Sequence, residues 1–145
     1  VQAADLVFRK LSNKNGNIIE KFLEMIKAEC ETKNEKVKNF TKQLNYYLDI
    51  LSKFTDWIND KTKIEKDDVS AAANDYLKTL GFVSLAYTWV KVLEVSFNDY
   101  ESNKEFYDDK INTAKFYFEK VLPRAEYHYK SAISGSSNIM NFKFN

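Results

Sequence analysis

The sequence predicts an all-α protein, an antiparallel bundle of five to six helices. Three observations predict it. Apolar residues recur every three or four positions along most of the 145-residue chain, the spacing that gathers them on one helical face. Only three glycines and one proline occur, too few for the many tight turns of a sheet protein. The length and a 44% hydrophobic content suit one compact core built from few, long elements.

Taken in order, Ala3 to Leu11 reads as the last turns of a helix. Asn13-Lys14-Asn15-Gly16 follows as a turn, because Asn and Gly tolerate left-handed backbone angles. Ile18, Ile19, Phe22, Leu23 and Ile26 then form the apolar face of a second helix. The clearest helix lies within Thr32 to Asp60, where Val37, Phe40, Leu44, Leu48, Leu51, Phe54 and Ile58 share a face and neither Gly nor Pro intervenes. The next, Val69 to about Tyr100, is apolar over a broad face through Tyr76, Leu77, Leu80, Val83, Tyr87, Val90 and Leu93. So wide a face places that helix centrally. A fifth helix runs from Asn103 to Val121, and Pro123 ends or kinks it by lacking an N–H and crowding the preceding turn. A last helix is expected from Arg124 to about Met140, with Phe142 to Asn145 frayed.

Helix starts are marked by Ser or Thr followed three residues later by Glu, the capping box in which both side chains accept orphan backbone N–H groups. Thr32 with Glu35, Thr62 with Glu65 and Ser102 with Glu105 fit that pattern, with Asp67 or Asp68 competing for the cap of the central helix.

The 22 basic and 21 acidic residues interleave to a net charge of +1, which excludes the basic patch of a nucleic-acid binder. No apolar stretch approaches the roughly 20 residues needed to cross a bilayer, and the most apolar run, Leu80 to Val90, contains Gly81, Ser84 and Thr88. With Asp5, Arg9 and Lys10 in what would be its apolar region, the N-terminus does not look like a secretory signal, and the chain begins without Met, as though cut from something longer. Cys30 is alone, which suits a reducing compartment and a cytoplasmic location.

Chemistry is scarce. His128, between Tyr127 and Tyr129, is the sole histidine and has no nucleophile or carboxylate nominated beside it; it reads as a surface or interface residue rather than a general base. Cys30 has no activating base in its sequence neighbourhood and reads as an inert thiol. Glu20 with Glu24, and Asp108 with Asp109, lack His or Cys company and read as solvated faces rather than metal or acid–base pairs. Three scattered glycines supply no phosphate-binding loop. No catalytic or metal-binding residue is assigned. The chain is, however, rich in rings, with two Trp, nine Tyr and eleven Phe. Phe106, Tyr107, Phe116, Tyr117, Phe118, Tyr127 and Tyr129 fall on several sides of their helices and should divide between core and an interface.

Three stretches resemble a known family. Val1-Gln2-Ala3-Ala4-Asp5-Leu6-Val7-Phe8-Arg9-Lys10-Leu11 is similar to the segment of acyl-CoA dehydrogenases that follows a Glu-Gly-Thr stretch near the end of their catalytic core, although Phe8 stands where many relatives carry Gly. Tyr76-Leu77-Lys78-Thr79-Leu80-Gly81 with Trp89, and Ala114-Lys115-Phe116-Tyr117-Phe118-Glu119-Lys120-Val121-Leu122-Pro123-Arg124, resemble the extra C-terminal helical domain of the long subfamily, which includes methylmercaptopropionyl-CoA dehydrogenase-like enzymes. The resemblance covers roughly a third of the chain, in the right order and spacing.

It implies that residues 1–11 end the last core helix of such an enzyme and that 12–145 form its C-terminal bundle. The parent would be a FAD-dependent oxidoreductase that removes α,β hydrogens from an acyl-CoA. The family's glutamate base and flavin-binding core would lie ahead of Val1. Gln2 resembles the family glutamine near the flavin diphosphate and is the one cofactor-binding position carried over. The partners implied are the catalytic core of the same enzyme and other subunits of a homo-oligomer. A free-standing helical interaction module is the alternative. A membrane-surface role would want a basic amphipathic helix, whereas Lys33, Lys36 and Lys38 alternate with Glu31 and Glu35.

Overall fold

A computed structural model of the chain describes residues 1–11 and 18–142. The expected turn at Asn13 to Gly16 and the expected fraying beyond Phe142 lie outside the described residues. The chain is all-α, with no strand among the described residues. Helix α1 (Gln2–Asp5) runs on into a π-helical turn, Leu6–Lys10. Then come α2 (Ile18–Glu29), α3 (Glu35–Thr62) and α4 (Lys66–Asn98). A 3₁₀ turn, Tyr100–Ser102, leads to α5 (Lys104–Phe116), which ends in a second π-helical turn, Tyr117–Val121. The chain closes with α6 (Arg124–Ala132) and the single turn α7 (Ser137–Met140).

The helices start close to where the sequence places them, but their caps are different. At α3 the cap is Asn34, whose Oδ1 accepts from the Lys36 N–H at 3.0 Å, while Thr32 Oγ1 accepts from the Asn34 N–H at 3.1 Å. At α5 it is Asn103, accepting from the Phe106 N–H at 3.2 Å, and the Ser102 hydroxyl turns back to donate to the Asp99 carbonyl at 2.7 Å. Thr62 caps nothing, since it is the last residue of α3 and donates to the Ile58 carbonyl at 2.6 Å. The cap position of α4 is Glu65, which makes no side-chain cap bond, and Asp67 and Asp68 fall inside the first turn. In each case the hydroxyl finds a nearer backbone partner than the box would offer. Glu35 and Glu105 still occupy first turns, where the helix dipole favours a carboxylate.

Helix α4 is the hub, packed against α3, α5, α6 and the N-terminal segment. Helices α3 and α6 run antiparallel to it. Thr55 and Lys61 of α3 meet Tyr76 and Asp68 of α4, and Ala125, His128 and Ser136 meet Thr79, Asp75 and Asp68. The core between them holds Tyr76 and Phe54, both fully buried, with ring centroids 5.1 Å apart at 77°. Edge-to-face pairs of this kind add about 0.5–1.5 kcal/mol to the area they bury. The Tyr76 hydroxyl is satisfied at 2.8 Å by Thr55 Oγ1, so the ring is buried without an orphan polar atom. Val7 is also fully buried, seating the N-terminal segment in this core.

Two departures from regular helix shape the C-terminal half. The Leu122 N–H donates to the Tyr117 carbonyl at 2.9 Å, the wide turn of a π-helix. Its first two rings both point inward: Phe118 meets Phe40 edge-on at 5.2 Å, and Tyr117 lies 6.4 Å from Trp89 and donates to the Phe82 carbonyl at 2.8 Å. Pro123 follows as the cap residue of α6, which is the interruption its missing N–H predicts. The single helix expected from Arg124 to Met140 is instead broken. Gly135 adopts φ 82°, which ends the helical path, and the next residue, Ser136, donates its N–H and its hydroxyl to Asp68, each at 2.7 Å.

The expectation that no segment is apolar enough to span a bilayer also needs correction. By length and composition alone α4 qualifies, with a mean hydropathy of 1.3 over its best window. Only 28% of that window is buried in the bundle, so α4 carries apolar residues on its outer side as well as its inner one.

Candidate functional site

The polar residues that could carry chemistry are dispersed over the bundle. His128 on α6 has the carboxylate partner that its sequence neighbours lack: Nδ1 lies 2.7 Å from Asp75 Oδ1 on α4. Its ring stacks on Phe82, with centroids 5.9 Å apart and planes at 17°. Both side chains are largely covered, at 13% and 24% exposure, so the pair braces α4 against α6. Such a dyad orients an imidazole but needs a nucleophile or substrate to act on. The cysteine does not supply one. Cys30 is fully buried, and burial pushes its thiol up to about 11, in the field of Lys91 and Glu94, about four turns of α4 away from Asp75. Of the buried or inert thiol that the sequence suggests, the structure shows the burial.

Of the paired carboxylates, Glu20, Glu24, Asp108 and Asp109 are all exposed, as solvated faces should be. Asp108 accepts a bond from the Tyr100 hydroxyl at 3.0 Å. No cluster of three His, Cys, Asp or Glu side chains able to hold a metal occurs among the described residues.

The strongest electrostatic perturbation belongs to Asp68, and it is structural. The Ser136 hydroxyl, the Lys61 ammonium at 3.0 Å and the Ser136 N–H all converge on this carboxylate and hold it well below the usual range. A Cβ on Gly135 would stand 3.3 Å from its Oδ1, so the loop sits directly on the carboxylate. Neither Asp68 with Ser136 nor Asp75 with His128 left a local signal in the sequence, because each pair joins helices far apart along the chain.

Gln2 lies exposed on the first turn of α1, a helix of four residues. A single exposed amide is at most one contact of a dinucleotide site.

What the surface does offer is apolar. The aromatic cluster divides: Tyr117 and Phe118 are buried, whereas Phe106, Phe116 and Tyr127 are 49%, 60% and 69% exposed. Between α4 and α5 runs an open groove of about 490 Å³, walled by Trp89, Val92 and Val95 on one side and Phe106 and Tyr107 on the other. Lys110 sits 5.0 Å above the Phe106 ring. The arrangement can bind an apolar partner but holds no group in place to transform one. No curated protein matches the chain. A family model described as acetyl-CoA dehydrogenase C-terminal like matches residues 22–143, almost the whole bundle, and the chain belongs to that family.

Proposed function

We propose that the chain is the accessory C-terminal domain of a FAD-dependent acyl-CoA dehydrogenase of the long subfamily, with residues 1–11 closing the catalytic core and the bundle supporting subunit packing and the flavin site. The family match carries this reading, and the dispersal of polar groups over the bundle supports a non-catalytic part. In the parent, a cytoplasmic homo-oligomer, a glutamate base and the flavin ahead of Val1 would take the α- and β-hydrogens of an acyl-CoA. Gln2 would add one contact near the flavin diphosphate. Exposed Phe106, Phe116 and Tyr127 give the bundle apolar surface to dock with.

The test is a parent enzyme cut after Leu11. The expected product loses subunits and sheds flavin, while molecules still holding flavin reduce it at the normal single-turnover rate. A fully flavinated, intact oligomer would refute the role and favour a free interaction module.

A further inference from the structure

We infer that Val7 is a positioning residue: through it, helix α4 fixes the angle at which the N-terminal helix presents Gln2 to the flavin site of the parent enzyme. The inference rests on the function proposed above and supplies the route by which a bundle that touches no reacting atom supports that site. Three observations lead to it.

The N-terminal segment has two unlike sides. Val7 is fully buried, and Ala3, Leu6 and Leu11 are partly buried against the same core. Ala3, Val7 and Leu11 are spaced four apart, which sets them on one helical face. Gln2 and Ala4, on either side of Ala3, are exposed. The Gln2 amide makes no hydrogen bond among the described residues and is free to serve a group outside the bundle. A tether between two domains would be polar and exposed all round, without a sealed apolar side.

The segment is also continuous. Arg9 forms a bidentate pair with Asp5, Nη2 to Oδ2 at 2.8 Å and Nε to Oδ1, across the junction between α1 and the π-helical turn. Backbone bonds flank the same junction, from the Asp5 N–H to the Val1 carbonyl at 3.0 Å and from the Leu11 N–H to the Leu6 carbonyl at 3.0 Å. A shift at Val7 is therefore carried to Gln2 instead of being absorbed between them.

Helix α4 supplies the base. It packs against both α1 and the π-helical turn, and it is itself held by α3, α5 and α6. Interiors are close-packed, so the loss of even one methylene at Val7 is felt by its neighbours. A division of the chain after Leu11 cuts across this packing, because the residues that close the catalytic core on one side are sealed to the bundle on the other.

The experiment is a double-mutant cycle on the flavin affinity of the full parent enzyme, stripped of FAD and titrated with it. Val7→Ala is expected to raise the FAD dissociation constant about fivefold or more, the lower end of a coupling between sites. Gln2→Ala should raise it as well, and Val7→Ala added to Gln2→Ala should raise it no further, because Val7 acts only through Gln2. Ile58→Val, a truncation of the core on α3, should leave the constant unchanged. If Val7→Ala does not fold, Val7→Thr, which keeps the shape and adds a hydroxyl, is read in the same cycle. An unchanged constant in the Val7 variant, effects that add in the double variant, a Gln2→Ala enzyme that binds FAD normally, or an equal loss in Ile58→Val each overturns the inference. A parent that sheds flavin when cut after Leu11, yet keeps its affinity in Val7→Ala, would retain the supporting role and overturn this route alone. A cut parent that keeps its flavin removes the role itself.

Discussion

Removing the Asp68 carboxylate is the most informative perturbation of the fold, because three donors depend on it. Ser136 is buried, and its N–H and hydroxyl both donate to Asp68 Oδ1 at 2.7 Å. Asp68→Ala leaves that N–H without an acceptor, at a cost of about 1–3 kcal/mol. Lys61 loses less, because it is 30% exposed and keeps Glu65 at 3.0 Å; an exposed pair of this kind contributes about 0–1 kcal/mol. Together the loss should be about 1–4 kcal/mol. Asp68→Asn keeps an oxygen for Ser136 but gives up the charge, and should lose about 1 kcal/mol. Urea denaturation followed by circular dichroism measures both, and amide exchange at Ser136 shows whether the loss begins locally at Gly135. The pH dependence has a definite sign. The Ser136 hydroxyl first, then Lys61 and the Ser136 N–H, hold the folded carboxyl below its ordinary value of 3.8. Between the two values the unfolded chain binds more protons than the folded one, so the contribution is complete above the ordinary value and is lost as pH falls through the lowered one. The stability gap between wild type and Asp68→Asn should therefore hold steady from pH 7 to 5 and narrow below about pH 4. A gap that persists unchanged at pH 2, or Asn and Ala variants of equal stability, would refute the clasp.

Two further outcomes follow from the same packing. Asn103→Ala should destabilise the protein by about 1 kcal/mol in a thermal melt, whereas Ser102→Ala should change little, which places the α5 cap at Asn103 rather than at the capping-box serine. Cys30, buried and with its thiol raised to about 11, should react with a thiol reagent at pH 8 only as fast as the protein opens, and at the free-cysteine rate in denaturant; fast labelling of the native protein would contradict its burial.

How much of this was legible in the sequence depended on whether the signal was local. Helix α3 was read correctly because Val37, Leu44, Leu48, Leu51, Phe54 and Ile58 are all buried, so the apolar period and the core coincide. The single helix expected from Arg124 to about Met140 has Ile133, Ile139 and Met140 in its second half. All three are exposed, at 39%, 67% and 61%, and the Ser134-Gly135-Ser136 interruption decides the path. The caps failed for a similar reason. A hydroxyl three residues before a glutamate is a local pattern, but the adjacent Asn34 and Asn103 compete for the same N–H groups with an acceptor that is better placed. The resemblance to the dehydrogenase C-terminal region was legible in short stretches, Phe116 to Pro123 most of all, and part of that run proves to be a π-helical turn. Tyr117 and Phe118, the first two residues of that turn, are both buried, as the neighbours Tyr47 and Leu48 are on α3.

Helix α4 marks where periodicity stops being informative. Its apolar residues were read as one broad face, yet Tyr76, Val83, Val90 and Leu93 are fully buried while Leu77, Leu80 and Tyr87 are only half-covered. Leu85 and Val95, apolar and on the far side, are more than half exposed. A helix that is apolar on two sides gives the same sequence pattern whether both sides are filled from within the chain or one awaits a second molecule. Burial separates the cases, because the fold must cover the residues that stabilise it but need not cover those used between subunits. In a domain whose His128 braces two helices and whose Cys30 is sealed in the core, function is therefore best sought among the apolar residues that the bundle leaves uncovered. On α4 those residues include a glycine that no contact within the chain requires.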